Sequence, residues 1–442
     1  MKTLSFSDKL LSIKDVSEIL NLSEITVKRY IYDGKLMSFK IGNARRVKVD
    51  DVKDFISNSE IQKKFVTNTD LKIIPGYMGI KTQILDHIHL EINKIANKGD
   101  VILDIFTGSG SVGYELKRDF TVYSNDIEPY AYIVSKLLID NTMSRTEIED
   151  FDFKSFEEHY EENLEVLLKG PPTDLQGYYK NHEKFPYTLF TNYFSGTYFG
   201  KTQAMQIDSL RYAIDKTKEK YKTLLLSCLI FSCYQTVTSV GSHFAQPKIA
   251  KAKNKTDIEK KRQQDVKKYF LKKFSEIKEN LYIDKKKNRA FCDDFKDLLT
   301  SKEIPIGKIS VTYIDPPYTI DHYSRFYHIL NTLVLYDYPG KVGKGLYRTD
   351  RYQSKFCIKS TVLEEFEALV GNLSRLKSKI VMSYSDGYRS LLTTDEILGV
   401  LGKHYKMHSI KSPIKIEYSY SGFGRSASNK ANELLFVATE PK

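Results

Sequence analysis

No apolar run in the chain approaches the roughly 20 residues that a membrane-spanning helix needs. The longest, LLLSCLIF at 224–231, is only eight residues. The opening, MKTLSFSDKLLSIKD, lacks the apolar core of a secretory signal. These absences exclude a membrane span or export signal and lead us to expect a soluble, cytoplasmic protein. Cysteine is scarce: Cys228, Cys233, Cys292 and Cys357 are the only four, and they follow no metal-ligand spacing. A disulfide framework and a zinc site are therefore excluded, and reduced thiols with no metal are expected. The nine histidines show neither ligand nor triad spacing. Internal repeats and low-complexity tracts are absent too, which excludes solenoid and fibrous architectures.

Acidic residues are in deficit, 56 against 68 Lys and Arg, giving a net charge of +12 over 442 residues. That balance suits a polyanionic partner, although net charge alone says nothing of fold. The surplus is concentrated. Between Lys248 and Arg289 there are 16 Lys and Arg against 6 Asp and Glu, a local excess of ten. The segment lies within a helical, Tyr- and Lys-rich region and is expected to form a phosphate-binding surface, with Lys248, Lys251 and Lys253 at its start.

At the other end, residues 10–56 form a short self-contained pattern. Ser12 can cap a helix with apolar positions Val16, Ile19 and Leu20, and Ser23 a second carrying Ile25, Val27, Tyr30 and Ile31. Asn21 is a turn residue between them and Gly34 a helix stop. KLMSFKIGNARRVKV alternates around Gly-Asn, a hairpin signal, and Asp50 opens a last short helix. Two helices and a basic hairpin are the parts of a winged helix-turn-helix. The stretch resembles the excisionase/MerR-type DNA-binding module. That resemblance puts the second helix in the major groove, with Thr26, Lys28, Arg29 and Tyr30 as contacts and Arg45 and Arg46 on the wing near phosphates.

After a polar linker at 57–70, strand and helix patterns alternate, the mark of an open α/β sheet. DIFTGSGSVG at 104–113 carries a G-x-G-x-x-G at Gly108, Gly110 and Gly113, with Asp126 following Gly108 by 18 positions at the next strand end. Alone this fits a dinucleotide fold or a structural turn. The flanking carboxylates add chemistry: Asp104 can hold an amine and Asp126 a ribose diol. A ligand with an amino acid at one end and a nucleoside at the other, S-adenosylmethionine, suits both.

VTYIDPPY at 311–318 ends an apolar run at a stiff corner. An exocyclic amine on a nucleobase is a poor nucleophile because its lone pair is delocalised into the ring. Asp315 and the backbone carbonyl of Pro316 can accept its two N–H groups and favour a pyramidal nitrogen. Pro317 keeps the corner rigid, and Tyr318 can stack on a base flipped from the duplex.

With both motifs in view, 68–140 and 288–442 resemble the amino-methyltransferases that act on DNA, most closely the Dam-like N6-adenine enzymes. The resemblance implies a Rossmann-like α/β sheet. PGYMGIK supplies Tyr77, Gly79 and Lys81 as cofactor contacts, and DIFTGSG adds Asp104, Phe106, Gly108 and Gly110. SNDIEPY places Asp126 and Ile127 beside the adenosine, and FCDDF places Asp294 and Phe295 near its adenine. EYSYSGFGRSASNKANELLF supplies the closing antiparallel strands, with a mobile loop at Ser421–Asn429. His322 and His328 are expected in packing or phosphate contact. The expected map is a winged helix-turn-helix at 1–60, catalytic segments at 68–145 and 289–442, and a helical target-recognition insertion at 146–288.

The expected activity is site-specific methylation of N6 of adenine in double-stranded DNA, by a monomer on DNA, with a cognate restriction endonuclease as a possible partner. Cytosine-N4 methylation needs the same amine geometry and stays open, whereas the helix-turn-helix weighs against an RNA base. Outside the class, a nicotinamide-dependent dehydrogenase accounts for the glycine loop alone. A catalytically inactive DNA-binding regulator accounts for the N-terminal module.

Overall fold

The computed structural model describes residues 10–20, 22–32, 36–42, 44–52, 55, 71–170, 185–241, 243–421 and 428–442. The chain divides into two compact units, Met1–Thr69 and Asp70–Lys442.

In the first unit, β1 (Leu10–Ser12) leads into helices Ile13–Leu20 and Glu24–Tyr32, followed by β2 (Phe39–Ile41) and β3 (Ala44–Lys48). The strands form an antiparallel sheet in the order β1-β3-β2. Both expected caps form. The Ser12 hydroxyl accepts from the Asp15 N–H at 3.1 Å while Asp15 accepts from the Ser12 N–H at 2.7 Å. The Ser23 hydroxyl accepts from the Thr26 N–H at 3.2 Å. Leu11, Val16, Val27, Leu36, Val47 and Val52 close a small core. The hairpin and a short helix after Val49 also appear as expected. Strand β1 is an addition to the expected pattern: three residues that read as the approach to a helix pair with β3 instead. Asn21, Gly34 and the linker lie outside the described residues.

The second unit is built on β4 (Val101–Asp104), β5 (Thr121–Asn125), β6 (Arg289–Phe291), β7 (Val311–Ile314), β10 (Lys379–Ser385), β11 (Ile414–Ser421) and β12 (Ser428–Ala438). A two-stranded ribbon, β8 (Lys341–Val342) and β9 (Tyr347–Arg348), lies apart from them. The seven-stranded order is β11-β12-β10-β7-β4-β5-β6. The strands from β10 to β6 are parallel, and the closing pair runs antiparallel as expected.

Strand residues alternate between two apolar layers, as a sheet covered on both faces requires. Ile102, Val122, Val311, Tyr313, Val381 and Leu435 face one layer, and Leu103, Tyr123, Ile314, Ile380, Met382 and Phe436 the other. The helical insertion belongs to the first layer. Its helices Lys201–Lys216, Glu219–Thr236 and Val266–Asn280 share a continuous core with helix Pro129–Leu138 and the sheet. Helices Phe295–Thr300, Val362–Arg375 and Thr394–His404 cover the opposite face. The Ser421–Asn429 loop lies mostly outside the described residues; β11 reaches Ser421 and β12 begins at Ser428.

Candidate active site

The order of the parallel strands locates the site. From β4 the chain moves one way to β5 and β6, then returns to the other side for β7 and β10. Ligands of open α/β sheets bind beyond the carboxyl ends of the strands at such a reversal. Asp104 ends β4 and pairs with Tyr313 of β7, two residues before Asp315. The glycine loop and the proline corner, over 200 residues apart in sequence, therefore share one rim. A cleft opens there, lined by residues of both the glycine loop and the proline corner.

The glycine loop shapes one wall. Gly108 and Gly110 adopt positive φ, 50° and 75°, which a side chain resists. A Cβ on Gly108 would lie 2.9 Å from the Tyr77 hydroxyl. Asp104 is fully buried. Its Oδ2 accepts from the Thr107 hydroxyl and the Gly113 N–H, both at 3.1 Å, while its buried Oδ1 has no hydrogen-bond partner. Burial pushes this carboxyl up to about 7. An ammonium group reaching Oδ1 would relieve that desolvation. Asp126 accepts from the N–H groups of Gly108 and Glu128, each at 2.9 Å, and burial raises it to about 6. Each oxygen retains a lone pair for a further donor. The two carboxylate acceptors and the glycine cradle both fit S-adenosylmethionine.

Beyond β6, Phe106 meets Phe356 and Phe295 edge-on, with centroids 5.4 and 6.1 Å apart. These rings and Ile127 give the cleft an apolar wall. Asp294 also lines it, but its carboxylate already caps helix Phe295–Thr300 and accepts from the Tyr352 hydroxyl at 3.0 Å. Tyr77 stacks on Tyr327 with centroids 4.9 Å apart, and Gly79 lies beside Tyr323.

At the proline corner the hydrogen bonds to Asp315 fall on Oδ1, from Lys81 Nζ at 2.9 Å and the Ser383 hydroxyl at 3.2 Å. Lys81 also pairs with Glu433 at 3.3 Å. Burial raises Asp315, Lys81 opposes that and Glu433 adds to it, so the carboxyl stays above its ordinary range. Burial alone would lower Lys81, yet the two carboxylates hold it well above the usual lysine value. The two directions agree once the cation is seen to be shared. The ammonium stays charged, and neither carboxylate has it to itself. Tyr318 is half-buried, its ring centroid 5.5 Å from Lys81 Nζ and 5.6 Å from that of Tyr384.

The cleft therefore gathers Tyr77, Gly79, Lys81, Asp104, Phe106, Gly108, Asp126, Ile127, Asp294, Phe295, Asp315 and Pro317. Gly110, Pro316 and Tyr318 do not line it. Gly110 starts helix Ser111–Leu116, Pro316 is buried, and Tyr318 stands outside the lining. His322 reaches the cleft, whereas His328 is buried against the Phe244 carbonyl at 3.1 Å, a packing residue. Sequence reasoning missed Glu128, Tyr323, Tyr352 and the buried Glu433. Glu128 stood within SNDIEPY itself, two positions after Asp126. Glu433 is an acid at the head of an apolar run, ELLFVA, and that was its only signal.

The lysines of the basic stretch have two kinds of surroundings. Lys248, Lys251 and Lys253 are exposed as expected. Lys261, Arg262 and Lys286 donate to the carbonyls of Gln235, Thr197 and Lys117, and Lys267 pairs with Glu157 and Glu161. Lys273 is buried, bonding the Lys72 carbonyl at 3.0 Å and Glu276 at 2.7 Å. Lys255, Lys260, Lys268, Lys272, Lys285 and Lys287 are exposed, so cations remain at the surface along the stretch while burial and intramolecular acceptors claim the five just named.

In the first unit Lys28 and Arg29 are exposed, Tyr30 packs on Phe55 at 5.2 Å, and the Thr26 hydroxyl lies 2.9 Å from that of Ser23. Arg45 reaches Ser38 at 2.9 Å and Arg46 the Arg45 carbonyl at 3.0 Å. Lys40 and Arg45 sit directly opposite on β2 and β3, a like-charge pair that a polyanion would relieve. Among the described residues no acid/His/Cys cluster could hold a metal, and no helix is long and apolar enough to cross a membrane.

Residues 77–394, which span both motifs and the insertion, match the family model for D12 class N6 adenine-specific DNA methyltransferases, and residues 10–59 match a helix-turn-helix domain. The chain belongs to the D12 class of N6 adenine-specific DNA methyltransferases. It is 30% identical over 374 residues to modification methylase LlaI of Lactococcus lactis subsp. lactis, covering 82% of this chain and 54% of that protein. It is 27% identical over 344 residues to type II methyltransferase M.FokI of Planomicrobium okeanokoites, covering 74% and 47%. With type II methyltransferase M.NlaIII of Neisseria lactamica it shares 27% over 348 residues, covering 74% and 89%. The chain spans about half the length of the first two. A nicotinamide-dependent dehydrogenase has no place in this result.

Proposed function

We propose that the protein methylates N6 of adenine at a specific site in double-stranded DNA, using S-adenosylmethionine. The observation that carries the reading is the convergence of Asp104 and Asp315 on one cleft. Among the described residues, Asp104 Oδ1 has no partner and Asp315 is held through Oδ1 alone. Bound S-adenosylmethionine supplies an electrophilic methyl group on its sulfonium. Asp104 takes the amino-acid end of the cofactor, Asp126 the ribose, and the Phe106, Phe295 and Ile127 wall the adenine. Asp315 Oδ2 accepts one N–H of the target amine and the Pro316 carbonyl accepts the other. Tyr318 stacks on the flipped base. The preorganised acceptors favour the pyramidal nitrogen of the transition state over the planar ground state. The helix-turn-helix binds DNA through Lys28, Arg29 and the Lys40–Arg45 wing. The reading extends to a cytoplasmic enzyme that acts as a monomer and is paired with a restriction endonuclease, supported by relatives named modification methylases.

The test is to incubate the protein with duplex DNA and methyl-labelled S-adenosylmethionine, then digest the DNA to nucleosides. Label in N6-methyladenine is expected; label in N4-methylcytosine, or in RNA alone, would replace the proposed target. No transfer, with cofactor still bound, would point to the inactive regulator.

A further inference from the structure

Glu433 has no role in the chemistry above, yet it is a fully buried acid on a central antiparallel strand. Among the described residues neither of its oxygens accepts a hydrogen bond, and the cation paired with it is Lys81. A carboxylate this deep costs several kcal/mol to desolvate unless paired, so its place beside the reacting corner calls for an explanation. Lys81 supplies one. An ammonium has three N–H donors, and those of Lys81 face Asp315 at 2.9 Å, Glu433 at 3.3 Å and the Gly79 carbonyl at 3.3 Å. Protein acceptors and the Glu433 charge thus surround this ammonium on three sides. On the far side, the Ser383 hydroxyl grips the same Asp315 oxygen, itself 2.8 Å from the Tyr313 hydroxyl.

We infer that Lys81, anchored by Glu433, is a positioning residue for the methyl-transfer step rather than a cofactor contact: it fixes Asp315 through Oδ1 so that Oδ2 is presented to the target amine. The inference rests on the methyltransferase reading of the cleft. Glu433 has a second effect. A cation paired with Asp315 alone would neutralise the very charge that attracts the amine hydrogens. Shared between two carboxylates, it leaves the trio with one net negative charge.

The groups facing Asp315 are Lys81 from the loop before helix Leu85–Asn93, Glu433 from β12, Asp104 from β4, Tyr313 from β7, and Tyr318 and Tyr323 after the corner. Tyr313 and Tyr323 are held well above the ordinary phenol value by burial and stay neutral throughout the working range. Cofactor bound at Asp104 fixes the charge there. The acid limb of the pH profile for kcat then reports on Asp315.

The experiment compares the full-length protein with Glu433→Gln and Lys81→Met. Glu433→Gln keeps the shape and removes a charge that raises Asp315, so its acid limb moves to lower pH. Lys81→Met removes the cation and moves the limb to higher pH. In both, kcat falls tenfold or more while S-adenosylmethionine affinity by calorimetry stays within about twofold. Should Lys81→Met fold poorly, the double variant Lys81→Met/Glu433→Gln replaces it, and its limb lies above that of Glu433→Gln. Shifts in the same direction, or none, overturn the inference. So does a tenfold loss of cofactor affinity on removing Lys81, which would make that residue a cofactor ligand while leaving the methyltransferase reading intact. A parent protein that transfers no methyl group overturns both.

Discussion

Asp104, buried, and Asp315, half-buried, stand at the ends of adjacent parallel strands, but their hydrogen-bond patterns assign them different work. Asp104 has one idle oxygen and a pKa raised to about 7. A carboxyl raised on folding contributes stability that is complete below its unfolded value, near 4, and is lost as pH rises through about 7. Every tenfold gain in proton affinity on folding corresponds to about 1.4 kcal/mol. The cofactor-free protein should therefore lose thermal stability between pH 5 and 8. Asp104→Asn, neutral throughout, should flatten that slope without abolishing it, because Asp126 and Glu128 are raised as well, to about 6 and about 8. Added S-adenosylmethionine should raise the melting temperature of the parent most at high pH and do little for Asp104→Asn. Differential scanning fluorimetry across pH measures both effects; an identical slope in the variant would remove Asp104 from this role. Asp315→Ala should leave cofactor binding intact and cut the single-turnover rate about a hundredfold or more, as loss of a preorganised catalytic group does elsewhere. Tyr318→Ala should cost roughly 1–3 kcal/mol in capture of the extruded base, read by 2-aminopurine fluorescence, with Tyr318→Phe retaining most of the activity.

Elements explain why some of this was legible in sequence and some was not. The glycine loop and the proline corner are contiguous motifs, each at the end of one apolar strand, so local pattern sufficed to place Asp104, Asp126 and Asp315. The partners of Asp315 come from elsewhere: Lys81 from a loop before a helix, Ser383 from β10 and Glu433 from β12. No spacing rule joins positions 81, 315 and 433; only the sheet order does. The basic stretch was legible only in part, for a different reason. Charge counting treats every lysine as solvated, whereas Lys273 is buried, its ammonium 4.0 Å from the centroid of the Phe231 ring. Replacing Lys248, Lys251 and Lys253 together by Gln should lower DNA affinity and reduce the salt slope by up to about three, near 0.9 for each phosphate no longer neutralised. Lys273→Gln should instead lower thermal stability with no change in that slope. Binding isotherms at several salt concentrations separate the two, and an unchanged slope in the triple variant would leave those lysines facing solvent.

Across the whole molecule the division of labour follows the division into units. Among the described residues, the first unit closes a small core of six buried apolar side chains, and its first two helices are capped by Ser12 and Ser23. Every residue lining the cleft lies in 70–442. Folding of the catalytic unit should therefore not depend on the helix-turn-helix. A chain beginning at Asp70 should bind S-adenosylmethionine within about twofold of the parent and melt at a similar temperature. It should bind DNA more weakly, because the exposed Lys28 and Arg29 and the Lys40–Arg45 pair leave with the first unit. Methylome sequencing of cells expressing each form then shows what the module contributes. The same modified sequence at lower occupancy would mean that it supplies affinity while the catalytic unit reads the site. A relaxed or altered sequence would mean that its second helix reads bases directly. If the truncated chain fails to fold or to bind cofactor, the first unit is a structural part of the enzyme rather than an added DNA-binding module.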